Sequence, residues 1–437
     1  MSFGISDQAV SMEQAERAVL VGIERKGDPD AAMRLASTLS ELERLSETAG
    51  ASVVATTSQR LVSPNPRTFV GSGKAEEIAS LCLAHAADVV IFDEELTPAQ
   101  QGNLEKIMPQ NVKVIDRTAL ILDIFALHAT SKEGRLQVRL AQNQYLLPRL
   151  RGMWAHLASN RMGGGVGSRF GEGESQLEVD RRLVRKRITT IRRELDHLAS
   201  VRAVQRRSRR LSGVFRIAEA GYTNAGKSSL IHALTGADVL SYDKLFATLD
   251  STTRRLSLPE GRDATITDTV GFIQKLPTNL IEAFRSTLDE ISEADLILHV
   301  VDASSPRRDA QAKAVVETLG LIGAQDVPCM VVCNKVDLLG GEERAELIRQ
   351  HPDACLVSAR TGEGMDALRA AIVERIAAYE VPVVLSVPFD RGDAVSRVHS
   401  ECTVLEESYD ERGTTVVARI PSGLLEAYAP FIVRDDD

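Results

Sequence analysis

The sequence predicts an α/β protein in which two parallel-sheet domains flank a helical hairpin and a small α+β domain follows. Short aliphatic runs alternate with helical patterns in residues 18–129 and again in 213–380, as is typical of βαβ units. Between them, five aliphatic residues recur at spacings of 4, 3, 4 and 3, the apolar seam of a coiled coil. They are Val184, Ile188, Ile191, Leu195 and Leu198. We therefore expect domains at 1–129, 130–212 (the hairpin), 213–380 and 381–437.

The individual elements follow from local patterns. In the first domain we expect strands at "AVLVGI", "ASVVATT", "TFVGS", "DVVIFD" and "VKVID", and helices at "GKAEEIASLCLAHA" and "TPAQQGNLEKIM". The hairpin's first helix carries Leu136, Leu140 and Leu147, and its second begins near Gln176. The segment "SNRMGGGVGSRFGEGES" (159–175) is too glycine-rich for a helix and predicts a flexible tip between antiparallel helices. The last domain reads as strand, helix, strand, turn, strand, helix.

Composition favours a globular protein of the cytosol. The chain has 437 residues, 43% hydrophobic and 26% charged, which suffices for sizeable cores. Its five cysteines show no C-x-x-C pair, which predicts neither a disulfide framework nor a zinc site. We expect no secretory signal and no membrane span, since no apolar run reaches 18 residues, and we expect a monomer. The net charge of −9 excludes a generally cationic surface, although an average can conceal a local basic patch.

One motif predicts a phosphate site. "GYTNAGKS" (221–228) satisfies G-x-x-x-x-G-K-[ST] between the strand-like "FRIAEA" and the helix-like "SSLIHALTG", the context that a P-loop requires. Backbone N–H groups of such a loop cradle the α- and β-phosphates. Lys227 would reach the β- and γ-phosphates, and the Ser228 hydroxyl would bind Mg²⁺.

Two further motifs predict that the base is guanine. Asn334 and Asp337 follow an apolar strand in "MVVCNKVDLL", as N-K-x-D requires. An aspartate carboxylate accepts two hydrogen bonds, which matches the N1–H and amino group of guanine; adenine has no such donor pair. Lys335 would lie along the base, and "SAR" (358–360) would offer backbone N–H groups to the guanine oxygen.

The stretch "TITDTVGFIQKLP" (265–277) contains D-x-x-G, the motif that senses the terminal phosphate. Asp268 would hold Mg²⁺ through a water, and the Gly271 N–H would bind the γ-phosphate. Many GTPases then place a glutamine to orient the attacking water, but here Phe272 follows, and phenylalanine cannot hydrogen-bond to water. The segment "LFATLDSTTRR" offers Thr248, Thr252 and Thr253 as candidates for the switch threonine that completes the Mg²⁺ shell.

A weaker rival lies upstream in "FVGSGKAEE" (69–77). Counting back from Gly73, the first motif glycine is replaced by Thr68, and Ala75 occupies the hydroxyl position. This stretch is read as a strand-to-helix turn, and a second nucleotide site remains the alternative.

The motifs together resemble the HflX family of ribosome-associated GTPases. "GYTNAGKSS", "FATLD…TTR", "DTVGFI", "NKVD" and "SAR" occur in that family's order. "TFVGSGKAEEI", "DRTALILDIFALHATSKEGRLQVRLAQ" and "GESQLEVDRRLVRKRI" are similar to its N-terminal domain and helical hairpin, and "LSVPFDRGDAVSRVH" to its short C-terminal domain. The resemblance covers nearly the whole chain. It implies that Phe246 to Asp250 form the first switch, that Thr248 is a Mg²⁺ ligand, and that a hydrophobic residue is usual at Phe272.

The resemblance also implies a function. The expected protein is a GTPase that needs Mg²⁺, takes GTP to GDP and phosphate, and binds the large (50S) ribosomal subunit. It would split or rescue stalled ribosomes, with hydrolysis slow alone and stimulated by the ribosome. The alternatives are a GTPase of RNA modification or ribosome assembly, and a nucleotide-gated RNA-binding adaptor with negligible hydrolysis.

The residues expected to act at the nucleotide site form five short segments. Lys227, Thr248 and Gly271 are the expected catalytic residues, and Ser228 and Thr248 the expected metal ligands. The full set expected to contact the nucleotide is Gly221, Tyr222, Thr223, Asn224, Ala225, Gly226, Lys227, Ser228, Phe246, Ala247, Thr248, Leu249, Asp250, Asp268, Thr269, Val270, Gly271, Asn334, Lys335, Val336, Asp337, Ser358, Ala359 and Arg360.

The chain departs from the family pattern at three places. The strand before the P-loop ends in Glu219-Ala220 where aliphatic residues are usual, and a buried carboxylate is costly unless it is paired or protonated. Ser251 replaces a usual proline, and "RFGEGES" differs from the usual hairpin tip.

A basic run predicts a nucleic-acid surface. Residues 181–210 contain twelve basic side chains, opposed only by Glu194 and Asp196. The twelve are Arg181, Arg182, Arg185, Lys186, Arg187, Arg192, Arg193, Arg202, Arg206, Arg207, Arg209 and Arg210. A solvated coiled-coil face is the alternative, but so little interleaved acid favours RNA, and the lack of aromatics favours structured RNA read through its backbone. The resemblance implies that the tip, near Arg161 and Arg169, points to ribosomal RNA of the peptidyl-transferase region, where Gly163 to Gly165 would let it conform closely.

Overall fold

The chain forms two compact units, each with its own parallel sheet. The computed structural model describes residues 15–27, 31–150, 170–210, 214–236, 245–246, 248–259, 263–274, 285–411 and 413–433. The first unit comprises residues 1–196, 242–250 and 273–285, and the second comprises 197–241, 251–272 and 286–437. No helix in these described ranges is long and apolar enough to cross a membrane.

The sheet of the first unit has four parallel strands in the order β2-β1-β3-β4. The strands are β1 (Arg17–Arg25), β2 (Ser52–Leu61), β3 (Val89–Phe92) and β4 (Lys113–Asp116). The helices are α1 (Ala31–Thr48), α2 (Ser72–Ala84), α3 (Pro98–Glu105), α4 (Arg117–His128) and α5 (Lys132–Leu146). The sequence prediction of a parallel α/β domain here is correct, because aliphatic strands buried on both faces require helices on both sides.

Two adjacent helices of this unit begin at side-chain caps. The Asp116 carboxylate accepts a hydrogen bond from the Ala119 N–H at the start of α4. The Ser131 hydroxyl accepts one from the Gly134 N–H at the start of α5. These caps satisfy donors that a helix leaves unpaired in its first turn, and they fix where the short α4–α5 connection lies.

The expected strand at "TFVGS" is wrong. Residues 65–69 form a turn in which Asn65 and Phe69 exchange backbone hydrogen bonds, and Phe69 has φ +65°. A left-handed residue cannot continue a strand, so this apolar run instead places Phe69 in the core, edge-on to Phe92 at 5.7 Å. The turn leads into α2, where the Lys74 ammonium pairs with Glu77 at 2.8 Å. That pairing favours the structural interpretation of "GSGK" over a second phosphate site.

Helix α6 (Phe170–Arg210) is the longest helix of the described chain. It begins six residues before the expected start near Gln176, so the prediction that 170–175 is too glycine-rich for helix is wrong. Extending an existing helix adds one hydrogen bond for each residue fixed, and this offsets the cost of about 1 kcal/mol for each glycine. The expected seam holds at Val184, Ile188 and Ile191, which are buried. The expected tip at 159–169 lies outside the described residues, and the hairpin pairing stays a prediction.

The second unit contains a six-stranded sheet in the order β10-β9-β8-β5-β7-β6, parallel except for β6 against β7. The strands are β5 (Phe215–Gly221), β6 (Thr252–Ser257), β7 (Asp263–Asp268), β8 (Leu296–Asp302), β9 (Cys329–Asn334) and β10 (Cys355–Leu356). The helices are α7 (Lys227–Thr235), α8 (Arg285–Ser292), α9 (Arg308–Leu321), α10 (Gly341–Gln350) and α11 (Met365–Tyr379). Ile217, Leu298 and Val332 from three neighbouring strands lie in one buried core with Leu230 and Leu368.

Helix α11 leads directly into a small antiparallel sheet in the order β11-β13-β12. Its elements are β11 (Glu380–Val387), α12 (Gly392–Glu401), β12 (Thr403–Tyr409), β13 (Thr414–Pro421) and α13 (Leu425–Tyr428). This is the expected order of strand, helix, strand, turn, strand and helix. Leu385, Val416 and Val398 are fully buried in its separate core.

Candidate nucleotide-binding site

The P-loop connects the end of β5 to the start of α7 through residues that must be small or left-handed. Gly226 has φ +92°, and a Cβ there would lie 2.2 Å from the Asn334 side-chain nitrogen. A Cβ at Gly221 would lie 2.4 Å from the Val300 carbonyl oxygen. Asn224 also adopts a positive φ, +61°. Gly221 is therefore required by close backbone packing, and Gly226 by its left-handed conformation and the nearby Asn334 side chain. The loop lies at the carboxyl edge of the sheet, where α/β proteins bind ligands.

Lys227 lies inside this loop. Its side chain is buried, and its ammonium donates hydrogen bonds to the carbonyl oxygens of Gly221 at 3.2 Å and Tyr222 at 3.1 Å. Burial lowers the pKa of Lys227, while the neighbouring Asp268 and Glu219 oppose that shift. A buried cation held by neutral carbonyl groups is a site for an anion, and in this loop the anion would be a phosphate.

Two hard oxygen donors lie together beside the P-loop. The Ser228 hydroxyl donates to the Asp268 carboxylate at 2.7 Å, and Asp268 is 5% exposed. A hydroxyl and a carboxylate suit Mg²⁺, which takes few protein ligands and shares substrate phosphate oxygens. Within the described residues, no group of three or more His, Cys, Asp or Glu side chains could hold a metal by itself. The donor set therefore fits a nucleotide-bound ion and not a self-sufficient metal site.

The D-x-x-G segment is bound to the P-loop through its backbone. The Phe272 N–H donates to the Gly221 carbonyl at 3.0 Å, and the Thr223 N–H donates to the Phe272 carbonyl at 2.7 Å. A Cβ at Gly271 would come within 2.9 Å of Thr223 and 3.0 Å of the Lys227 ammonium. Glycine is therefore needed at 271 to bring the chain this close to Lys227.

The Phe272 side chain is 1% exposed, and this is the feature that sequence reasoning did not anticipate. The sequence indicates only that phenylalanine cannot orient water. The structure adds that the ring is buried, so Phe272 has a packing role. Its burial fixes the backbone bridge that joins D-x-x-G to the P-loop.

Asn334 braces the site from the end of β9, which β8 separates from the P-loop strand β5. Its side-chain nitrogen donates to the Ala225 carbonyl at 3.0 Å, and its side-chain oxygen accepts from the Ala359 N–H at 3.0 Å. Since Asn334 is 2% exposed, its amide has a positioning role: it joins the P-loop to the "SAR" loop.

Lys335 makes a second brace that includes a residue absent from the expected set. With φ +66°, it extends its ammonium to the Asn224 carbonyl at 2.8 Å and to the Asp302 carboxylate at 2.7 Å. Asp302 ends β8 beside β9, and only the sheet order reveals that it lies there. Its position at a strand end was the signal that could have found it.

Asp337, the residue predicted to read the base, is held by two side chains of the "SAR" loop. Its carboxylate accepts a hydrogen bond from the Ser358 hydroxyl at 2.6 Å and pairs with the Arg360 guanidinium. These two contacts, that of Ser358 being the larger, lower the pKa of Asp337 and keep it ionised as an acceptor. Arg360 therefore contributes through its side chain as well as through the backbone N–H that the sequence suggests.

The expected first switch belongs to the other unit. Residues 242–250 group with the N-terminal unit, where Phe246 and Leu249 are buried and Thr248 is partly exposed. Ala247 lies outside the described residues. The second unit thus brings together the predicted residues of the P-loop, D-x-x-G, N-K-x-D and "SAR".

Glu219 is fully buried on β5 and neither carboxyl oxygen has a hydrogen-bond partner among the described residues. Burial, and then the charge of Asp268, raise the pKa of Glu219 well above its ordinary value. The sequence predicts that an unpaired carboxyl at this strand end costs stability. The structure agrees, since this carboxyl is buried and has no hydrogen-bond partner among the described residues.

Fold and site together define the class of protein. A six-stranded, mostly parallel sheet with a P-loop, a metal-ready Ser–Asp pair and an ionised N-K-x-D aspartate defines a P-loop guanine-nucleotide-binding protein.

Comparison with known proteins identifies the family within this class. Residues 36–126 match a family model described as "GTP-binding GTPase N-terminal", residues 128–209 one described as "GTP-binding GTPase Middle Region", and residues 216–335 one described as "50S ribosome-binding GTPase". Relatives named "GTPase HflX" include one from Caldanaerobacter subterraneus subsp. tengcongensis, 43% identical over 96% of this chain and 94% of its own length. Another, from Escherichia coli, is 40% identical over 94% of both chains. The chain belongs to the HflX family of GTPases and is an enzyme that hydrolyses GTP.

Proposed function

We propose that this protein is a Mg²⁺-dependent GTPase whose GTP-bound form binds the large ribosomal subunit in the cytoplasm and splits or rescues stalled ribosomes. The observation that carries the ribosomal part is the exposed basic face of α6 in a protein of net charge −9. The family description of a 50S ribosome-binding GTPase supports the same partner.

The proposed chemistry rests on the electrostatics of the P-loop, D-x-x-G and N-K-x-D residues, together with the switch threonine. Lys227 would bind the β- and γ-phosphates, and the Gly271 N–H would contact the γ-phosphate. Ser228 and Thr248 would hold Mg²⁺ directly, with Asp268 acting through a water; when bound, the ion neutralises charge that develops on the phosphates. Asp337 would select guanine.

Hydrolysis without a partner is proposed to be slow. Phe272 is buried and cannot orient water, so the nucleophile would be ordered by backbone groups or by the ribosome on docking. Hydrolysis would therefore depend on the partner, because only the group that positions the attacking water is missing.

The RNA-binding face is proposed to lie along α6. Arg182, Arg185, Lys186 and Arg187 are exposed, while Val184 between them is buried, so one side of the helix is basic and another apolar. Arginine forks bind phosphate oxygens in pairs, which suits an RNA backbone. The proposed tip contacts near Arg161 and Arg169 lie in the part of the hairpin outside the described residues.

The test is co-sedimentation of the protein with purified 50S subunits in the presence of a non-hydrolysable GTP analogue. Changing Arg181, Arg182 and Arg185 to Glu should abolish co-sedimentation and leave GDP affinity within about twofold, because the substitutions act on a phosphate-binding surface. Unaltered co-sedimentation would remove this surface from the proposal.

A matched control separates this surface from net charge. Changing three exposed basic residues elsewhere in the first unit to Glu gives the same change in charge; these are Lys26, Arg34 and Arg44. The control should retain binding. Loss of binding by both variants would indicate a general charge effect and not a site on α6.

A GTPase of RNA modification or assembly would also bind RNA through α6, and the subunit fraction that sediments with the protein distinguishes it. A nucleotide-gated adaptor would bind subunits without any increase in GTP turnover.

A further inference from the structure

The carboxylate of Asp250 accepts hydrogen bonds from the connection between α4 and α5. One carboxylate oxygen accepts hydrogen bonds from the Thr130 N–H at 2.9 Å, the Thr130 hydroxyl at 2.7 Å and the Ser131 N–H at 2.6 Å. The other accepts from the Ser131 hydroxyl. Although burial opposes it, these bonds, first that from the Ser131 hydroxyl, lower the pKa of Asp250, as hydrogen bonds to the charged form do.

The same segment is anchored at its other end by apolar packing. Phe246 is 3% exposed and meets the ring of Phe125, on α4, edge to face at 4.7 Å. Leu245 and Leu249 are also buried. Phe246 has φ +59°, a conformation that a bulky residue adopts only when its surroundings impose it. The described residues of this segment, 245–246 and 248–250, are thus held at both ends by contacts within the N-terminal unit.

Gly134 makes this arrangement possible. Its N–H caps α5 through Ser131, and a Cβ on Gly134 would lie 2.3 Å from a carboxylate oxygen of Asp250. Any larger residue would have to displace that carboxylate. Gly134 is helical, where glycine is otherwise less favourable than alanine by about 1 kcal/mol, so its presence needs a packing reason, and the carboxylate supplies one.

We propose that Asp250 is a positioning residue: by binding Thr130 and Ser131 it holds the segment around Thr248 in the ordered shape that GTP binding requires. Thr248 lies between the two anchors at Phe246 and Asp250. Ordering a free loop costs about 1–2 kcal/mol of conformational entropy per residue. Here the contacts with α4 and α5 offset that cost before GTP binds.

The inference rests on the proposed role of Thr248 as the switch threonine. A switch threonine engages the terminal phosphate and its metal ion only in the GTP state, whereas GDP is held by the P-loop and the guanine-binding residues. Damage to the anchor should therefore weaken GTP binding and leave GDP binding nearly unchanged. A general structural defect would weaken both.

The experiment compares the affinities of GTPγS and GDP, each with Mg²⁺, by titration calorimetry on the full chain. Gly134→Ala displaces the Asp250 carboxylate without altering Asp250 itself. We expect about tenfold weaker GTPγS binding and GDP binding within about twofold, as for loss of charged hydrogen bonds. Thr130→Val, which removes one donor and keeps the shape, should show the same bias to a smaller degree.

Gly102→Ala is the matched control. Gly102 is also helical, in α3 of the same unit, and a Cβ there meets nothing within 4 Å. It should leave both affinities unchanged. If Gly134→Ala behaves like this control, or binds GTPγS more tightly, the positioning role is overturned.

Thr248→Ala separates this inference from the proposed function. It should weaken GTPγS binding selectively. If it does so while Gly134→Ala has no effect, only the role of Asp250 fails. If Thr248→Ala leaves GTPγS affinity unchanged, the switch assignment fails and the positioning role fails with it.

Discussion

Replacing the buried Glu219 by valine is expected to stabilise the nucleotide-binding unit. Glu219 is 0% exposed, and neither carboxyl oxygen has a partner among the described residues. An unsatisfied buried polar group costs about 1–3 kcal/mol, and valine removes it while suiting a central strand. At about 2–4 °C per kcal/mol for a domain of this size, the unfolding midpoint should rise by about 2–12 °C.

The gain should grow with pH. Burial raises the pKa of Glu219, so the native state keeps a proton that the unfolded chain has released above about pH 4.3. The unfolded state then binds fewer protons than the native state, and stability falls as pH rises through this window. Glu219→Gln cannot ionise, so it should remove this pH dependence while keeping an unpaired polar group, and its midpoint should lie between the other two at neutral pH.

The assay is scanning calorimetry at several pH values, with the unit identified as the transition that added GDP raises, because a ligand stabilises the unit that binds it. An unchanged or lower midpoint for Glu219→Val at neutral pH would refute the reasoning. So would a gain that shrinks as pH rises.

Two further changes test the site itself. Phe272→Gln should not raise partner-free GTP turnover and should destabilise the unit by about 2–4 kcal/mol, because the side chain at 272 is buried; a large rise in turnover would mean that water orientation from this position was limiting. Asp337→Asn should weaken GDP binding by about 100-fold through loss of two charge-assisted hydrogen bonds, while Arg360→Ala, which spares the carboxylate, should stay within about threefold in the same titration; equal losses would assign the effect to the loop and not to base reading.

The motifs predicted for the second unit lie close together in the fold, because the chemistry of a nucleotide site constrains their spacing, and their contacts with the nucleotide stay a prediction. The P-loop glycines must accept close contacts, as at Gly221 against the Val300 backbone and at Gly226 against the Asn334 side chain. The sheet then brings distant strand ends to one edge, so motifs far apart in sequence form one site.

Sequence reasoning failed where tertiary contacts override local pattern. The apolar run around Phe69 has the composition of a strand, but φ at this residue is +65° and the chain turns. The glycines of 170–175 argue against a helix, but a 41-residue helix extends through them. Asp302 and Gly134 carry no motif at all. Asp302 acts by binding the Lys335 ammonium, and Gly134 acts by leaving room for the Asp250 carboxylate. These groups come together only in the folded chain.

The central claim is that this GTPase acts with the large ribosomal subunit as its partner. The most direct test is steady-state GTP turnover of the full chain alone and with purified 50S subunits, repeated on vacant and tRNA-loaded ribosomes. We expect slow turnover alone and stimulation of at least about tenfold by 50S subunits, the order expected when a partner supplies a missing positioning group. Turnover that 50S subunits leave unchanged would contradict it.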